Sequence, residues 1–215
     1  MLADVIAYVL SIRHGGSFLG GPSKHVAERY GAIGFELSHG RRWQTIFEAL
    51  VLHGGFVQLL ANVVALAIFG PNVEDATGRL RFPAFYLLGG LSALGLGVLL
   101  APNSTVPLLG GSGATAAVLG GYVLLYPRAH VLSLSLVPFF ATVLAVPAVL
   151  LIGVWWAVQL WLGAAGLADP FAGDWGVAYA GLVGALLLGL LLIRPFASAA
   201  RISAKGHRPP PQPVY

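Results

Sequence analysis

The residues from 109 to 114 read Leu-Gly-Gly-Ser-Gly-Ala, and Thr-Ala-Ala-Val-Leu-Gly-Gly-Tyr follows to Tyr122. They lie in a segment without charge that runs from Phe82 to Pro127. A serine between glycines at the start of an apolar helix has two readings. In the first it serves packing: small residues let membrane helices approach closely, and a serine hydroxyl can bond back to its own backbone. In the second the turn frees the Ser112 hydroxyl to act as a nucleophile, and the N–H groups of the helix start hold an oxyanion.

A second polar group lies upstream. Residues 49 to 73 carry no Asp, Glu, Lys or Arg, and His53, Gln58 and Asn62 are among their polar members. Positions 58 and 62 share one helical face, with 53 within reach of it. Hydrogen bonding between helices would account for them, and so would service at a reaction centre.

Three motifs now stand in order: His53-Gly54-Gly55 with Gln58 and Asn62, then Val73-Glu74-Asp75 with Gly78-Arg79, then Gly110-Gly111-Ser112-Gly113-Ala114. Together they resemble the rhomboid family of intramembrane serine proteases, from about Arg29 to Pro195. The resemblance implies a bundle of six transmembrane helices in which Ser112 is the nucleophile, flanked by Gly111. It makes Asn62 the oxyanion asparagine and His53 the first-motif histidine. Gln58 falls where most members carry a second histidine, and its amide can still donate. The acidic turn braces a loop and does not react.

A serine needs a partner to take its proton at neutral pH. The family uses a histidine on the last helix, in a pattern like Gly-Val-Ala-Tyr-x-Ala-His-x-Gly-Gly-x-x-x-Gly. Here Gly176-Val177-Ala178-Tyr179 is followed by Ala180-Gly181-Leu182, so Leu182 takes the histidine position. Ala185 and Gly189 keep small residues three and seven places on. Sliding Tyr179 onto the histidine position would put leucines at those small sites. A phenol, which titrates near 10 and higher when buried, is no base at neutral pH in any case. No His, Lys, Asp or Glu lies between Trp175 and Ile193. Loss of the base of a serine protease costs ~10⁴–10⁶ in turnover. His53 or a loop histidine would have to substitute.

Composition sets the elements that must position these groups. Of 215 residues, 57% are hydrophobic and 9% charged, against about 25% charged in soluble domains. With a mean hydropathy of +0.82, the chain reads as an all-α polytopic membrane protein. The net charge of +4 marks cytoplasmic loops and gives no support to nucleic-acid binding. There is no cysteine, and the six histidines are scattered without an H-E-x-x-H pair, so neither a disulfide framework nor a metal or other cofactor is expected.

Residues 1–12 read as a partial first helix, shortened relative to the family, and 13–42 as a long outer interfacial loop. Residues 43–195 form the rhomboid-like core. Within it, helices are expected over 49–73, 82–101, from Ser112 to about Pro127, 147–164 and 175–193. Residues 71–81 read as a turn and 131–145 as a membrane-embedded loop. Trp155, Trp156 and Trp161 would form an aromatic belt. Residues 196–215 read as a basic, proline-rich cytoplasmic tail without fixed structure. Gly113, Ala117, Gly120 and Gly121 on the serine helix should meet Gly181, Ala185 and Gly189 on the last one.

The expected function is a pseudoprotease that binds transmembrane segments of client proteins in the lipid bilayer without efficient cleavage. The expected place is a bacterial plasma membrane, with the C-terminus in the cytoplasm. The alternatives are an active intramembrane endopeptidase with a non-standard base and a decaying gene. A transporter or channel fits poorly, because no intramembrane charge marks an ion path.

Overall fold

The computed structural model describes residues 1–137, 140–167 and 175–197. It is mostly helical. A first helix, α1 (Leu2–Arg13), leads into an outer segment built from α2 (Lys24–Tyr30), β1 (Ala32–Ile33), α3 (Gly34–Ser38) and α4 (Thr45–Glu48). The expected long loop therefore has structure of its own. Ser23 caps α2 by accepting from the Val26 N–H, as small polar residues do at helix starts. Five longer helices follow with a hairpin among them: α5 (Phe56–Thr77), α6 (Arg81–Leu100), α7 (Gly111–Leu125), α8 (Ala148–Leu167) and α9 (Trp175–Phe196).

Three helices, over Phe56–Thr77, Arg81–Leu100 and Val177–Phe196, are long and apolar enough to cross a membrane among the described residues. The apolar helices over Gly111–Leu125 and Ala148–Trp161 are shorter. At 1.5 Å per residue, the 15 residues of α7 reach about 22 Å, less than the ~30 Å hydrocarbon core. Its first twelve residues, Gly111 to Tyr122, are all buried. A helix buried on every side forms the centre of a bundle, and α5, α6 and α9 surround this one. Small residues make that possible. A Cβ on Gly189 of α9 would lie 2.1 Å from the Ala117 carbonyl oxygen, and one on Gly120 of α7 would lie 2.2 Å from that of Leu186.

This seam differs in part from the expected one. Gly113 and Gly181 do not face each other, because both face Ala93 on α6. Gly121 meets Ile193 and Phe85, and Ala185 is fully buried.

The connector ahead of α7 is pinned to the outer segment. β2 (Pro107–Leu108) pairs antiparallel with β1, Ala32 opposite Leu108 and Ile33 opposite Pro107. The Gly110 N–H donates to the Ala49 carbonyl at 2.8 Å, and that of Phe35 to Ser104 at 2.9 Å.

Three expected boundaries move. The helix expected over 49–73 starts only at Phe56, because His53-Gly54-Gly55 forms a turn. It then runs through Pro71 to Thr77 and takes in Glu74 and Asp75, so the turn expected over 71–81 shrinks to residues 78–80. Pro71 forfeits one N–H bond, which membrane helices tolerate, while Val73, Ala76 and Thr77 stay buried and keep the face in contact. The stop is Gly78, at φ +96°, a conformation glycine adopts freely. The embedded loop expected over 131–145 is an antiparallel hairpin, β3 (His130–Val137) with β4 (Phe140–Pro147). Its Leu-Ser-Leu-Ser alternation has the period of a strand. The expected unstructured tail falls outside the described residues from 198 onward.

Candidate functional site

Ser112 occupies the second position of α7 and is 5% exposed. Two helices each present a polar pair at i, i+4 toward it, the spacing that stacks side chains on one face. From α5 come Gln58 and Asn62. The Gln58 Nε2 and the Asn62 Nδ2 each donate to the Ser112 Oγ at 3.0 Å. From α8 come Trp155 and Gln159. The Ser112 hydroxyl donates to the Gln159 Oε1 at 3.4 Å. Trp155 donates through its Nε1 to the Asn62 Oδ1 at 3.2 Å, and the Gln159 Nε2 reaches the same oxygen at 3.4 Å. The Gln58 Oε1 accepts from the Gly54 N–H at 2.7 Å. Asn62 and Gln159 are almost wholly buried, and an amide buried without partners would cost about 1–3 kcal/mol.

From α9, Tyr179 donates its hydroxyl to the backbone carbonyl of Gln159. One turn on, Leu182 is 6% exposed. Leu182, Tyr179, Gln159, Gln58 and Ser112 line a common cavity of about 70 Å³, room for a few atoms. The leucine thus forms part of the wall beside the serine and brings no proton acceptor to it.

His53 lies just before α5 and is 2% exposed. Its Nδ1 pairs with the Val51 carbonyl at 3.2 Å. Its ring lies against Gly111, where a Cβ would come within 2.5 Å of Cε1 and Nε2. Gly111 is therefore glycine because the imidazole occupies the space of a side chain. The ring packs next to the serine turn, yet the hydroxyl's partners are the three carboxamides and not His53.

The structure brings Ser112, Gly111, Asn62, Gln58, His53 and Leu182 into one neighbourhood. It adds Gln159 and Trp155, which sequence reasoning missed. Trp155 was expected in a lipid-facing belt, but it is 5% exposed and points at Asn62, whereas Trp161 is 65% exposed. The signal was present in the chain. Gln159 is the only carboxamide between Val131 and Ala168, and Trp155 precedes it by one helical turn. Among the described residues no group of His, Cys, Asp or Glu side chains could hold a metal ion.

A helical membrane bundle with a serine buried at the head of its central helix, faced by amides, defines the class. The family model described as Rhomboid domain matches residues 39–198, and the chain belongs to the rhomboid family. RHOMBOID-like protein 5 of Arabidopsis thaliana is 34% identical over 101 residues, 46% of this chain and 32% of that protein. RHOMBOID-like protein 4 of the same plant is 35% identical over 146 residues, 67% of this chain and 33% of that protein. The matched part thus spans about a third of the length of these curated relatives. No solved structure matches the chain. The protein is an integral membrane protein. These relatives are plant proteins, and the expectation of a bacterial membrane draws no support from them.

Proposed function

We propose that this protein is a rhomboid pseudoprotease, which binds transmembrane helices of client proteins laterally in the bilayer and does not cleave them efficiently. The observation that carries the reading is Leu182 in the wall of the Ser112 cavity, where the family's pattern places its histidine. The side chains bonded to the Ser112 hydroxyl are carboxamides, and an amide accepts a hydrogen bond without taking up a proton near neutral pH. In detergent, a fluorophosphonate should leave Ser112 unlabelled. Cleavage of a model transmembrane substrate should stay at background, and Ser112→Ala should not change it. Labelling of Ser112, or cleavage that Ser112→Ala abolishes, overturns the reading.

A second reading rests on the position of the His53 ring against Gly111, one residue from the serine. An active intramembrane endopeptidase would then use His53 as its base after a shift of the turn that holds it. Cleavage lost in both Ser112→Ala and His53→Ala would favour that reading.

A further inference from the structure

The direction of every hydrogen bond around Ser112 follows from groups that can only donate. The Trp155 indole N–H has no acceptor role, so the Asn62 atom it faces at 3.2 Å is Oδ1. The Nδ2 of Asn62 is then the atom on the Ser112 Oγ, at 3.0 Å. The backbone N–H of Gly54 likewise fixes the Oε1 of Gln58, at 2.7 Å, and leaves its Nε2 on the same Oγ at 3.0 Å. These two donors engage both lone pairs of the serine oxygen. Gln159 approaches the Asn62 Oδ1 at 3.4 Å, a contact that only its Nε2 can make favourable. Its Oε1 is then the atom that faces the Ser112 Oγ, at 3.4 Å. Among the described residues the hydroxyl proton has one acceptor, and it lies on α8.

We propose that Gln159 is a positioning residue that holds the Ser112 proton toward α8, and that it silences the serine independently of Leu182. Leu182 stands on α9 and lines the same cavity as the amide. A base introduced at 182 would meet an oxygen whose proton points elsewhere and whose lone pairs are already engaged. One histidine is therefore not enough to restore a nucleophile. This inference rests on the pseudoprotease reading for its functional meaning. Its geometric core, the bond from Ser112 to Gln159, is tested without that reading.

The geometric test is a double-mutant cycle on melting temperature in detergent with Ser112→Ala, Gln159→Leu and the pair. Each single change breaks the same bond, so the two losses should be clearly non-additive, Gln159→Leu costing less once the serine is gone. Additive losses overturn the proposal. The functional test compares fluorophosphonate labelling of Leu182→His with that of Leu182→His combined with Gln159→Leu. The combined variant should label about tenfold faster or more, the factor that one hydrogen bond's net contribution can hold back, while Gln159→Leu alone stays unlabelled for want of a base. A merely structural role for Gln159 would lower labelling along with stability and would not raise it. Equal and measurable labelling of the single and combined variants overturns the proposal. Where neither variant labels, the coupling in the melting temperatures alone decides.

Discussion

At the scale of single residues, Asn62 is the hub of the site. It donates to Ser112 and accepts from Trp155 and Gln159. Asn62→Ala would leave the indole N–H and the Gln159 amide without that acceptor in a buried place, which costs about 1–3 kcal/mol per orphaned group. The expected outcome is a clearly lower melting temperature in detergent, larger than for Gln58→Ala, whose position is less buried. Gly111→Ala tests the other side of the turn. Its Cβ would enter the His53 ring at 2.5 Å, and overpacking of this kind costs about 1–3 kcal/mol. If His53→Ala restores the stability lost in Gly111→Ala, the clash is confirmed as the cause; an unchanged deficit would deny it. The half of the site on α5 and α7 was readable because Ser112 sits in a Gly-rich motif and Gln58 and Asn62 fall four apart. The half on α8 was not. A lone glutamine 47 residues from the serine has no motif around it, and only the folding of α8 against α5 brings the two together.

At the scale of elements, contact between α7 and α9 depends on glycine at specific depths. Gly189 touches backbone: its Cβ would lie 2.1 Å from the Ala117 oxygen and 2.8 Å from the Ala117 Cα. Backbone cannot swing aside as a side-chain tip can, so Gly189→Leu should cost at least ~1–3 kcal/mol. Gly153 on α8 is the internal control, with nothing within 4 Å of its Cβ position. Gly153→Ala should leave the melting temperature unchanged or raise it, since alanine is favoured in a helix interior by about 1 kcal/mol. Similar losses in both variants would deny that the seam is specific. The glycine pattern announced close packing but not which helix each glycine meets. Gly113 and Gly181 were assigned to the seam by spacing, yet both turn to Ala93 on α6, because a central helix has neighbours on several sides. Boundaries failed for local reasons. Pro71 looked like a stop and Gly78 was the stop, while the serine-leucine alternation at 132–136 looked like part of an embedded loop and is a strand.

At the scale of the whole molecule, the remaining question is which side of the membrane each end faces. The helix that carries Ser112 is about 22 Å long, so it cannot fill the hydrocarbon thickness alone. Its head is roofed by the connector that β2 pins to β1. That roof belongs to the segment containing Arg13, Lys24, Arg29, Arg41 and Arg42. On the opposite side lie Arg79, Arg81 at the head of α6 and Arg128, with Arg194 in the last turn of α9 and Arg201, Lys205 and Arg208 after it in the chain. Seven basic residues against five is a small difference. The short connections carry the signal, however, since positive charge in short loops sets orientation more strongly than charge in long ones. Among the short connections, the α6–α7 one, on the side of Ser112, has no basic residue, while the α5–α6 turn has Arg79, with Arg81 directly after it at the head of α6. The expected arrangement therefore crosses the membrane six times and leaves the C-terminus in the cytoplasm. A fluorescent reporter that matures only in the cytoplasm should be bright when fused after Tyr215, and a phosphatase that folds only outside should be inactive there. Moving the same phosphatase into the 101–106 turn should switch it on. A bright fusion in that turn, or an active phosphatase at the C-terminus, would reverse the topology and place the Ser112 cavity at the inner face.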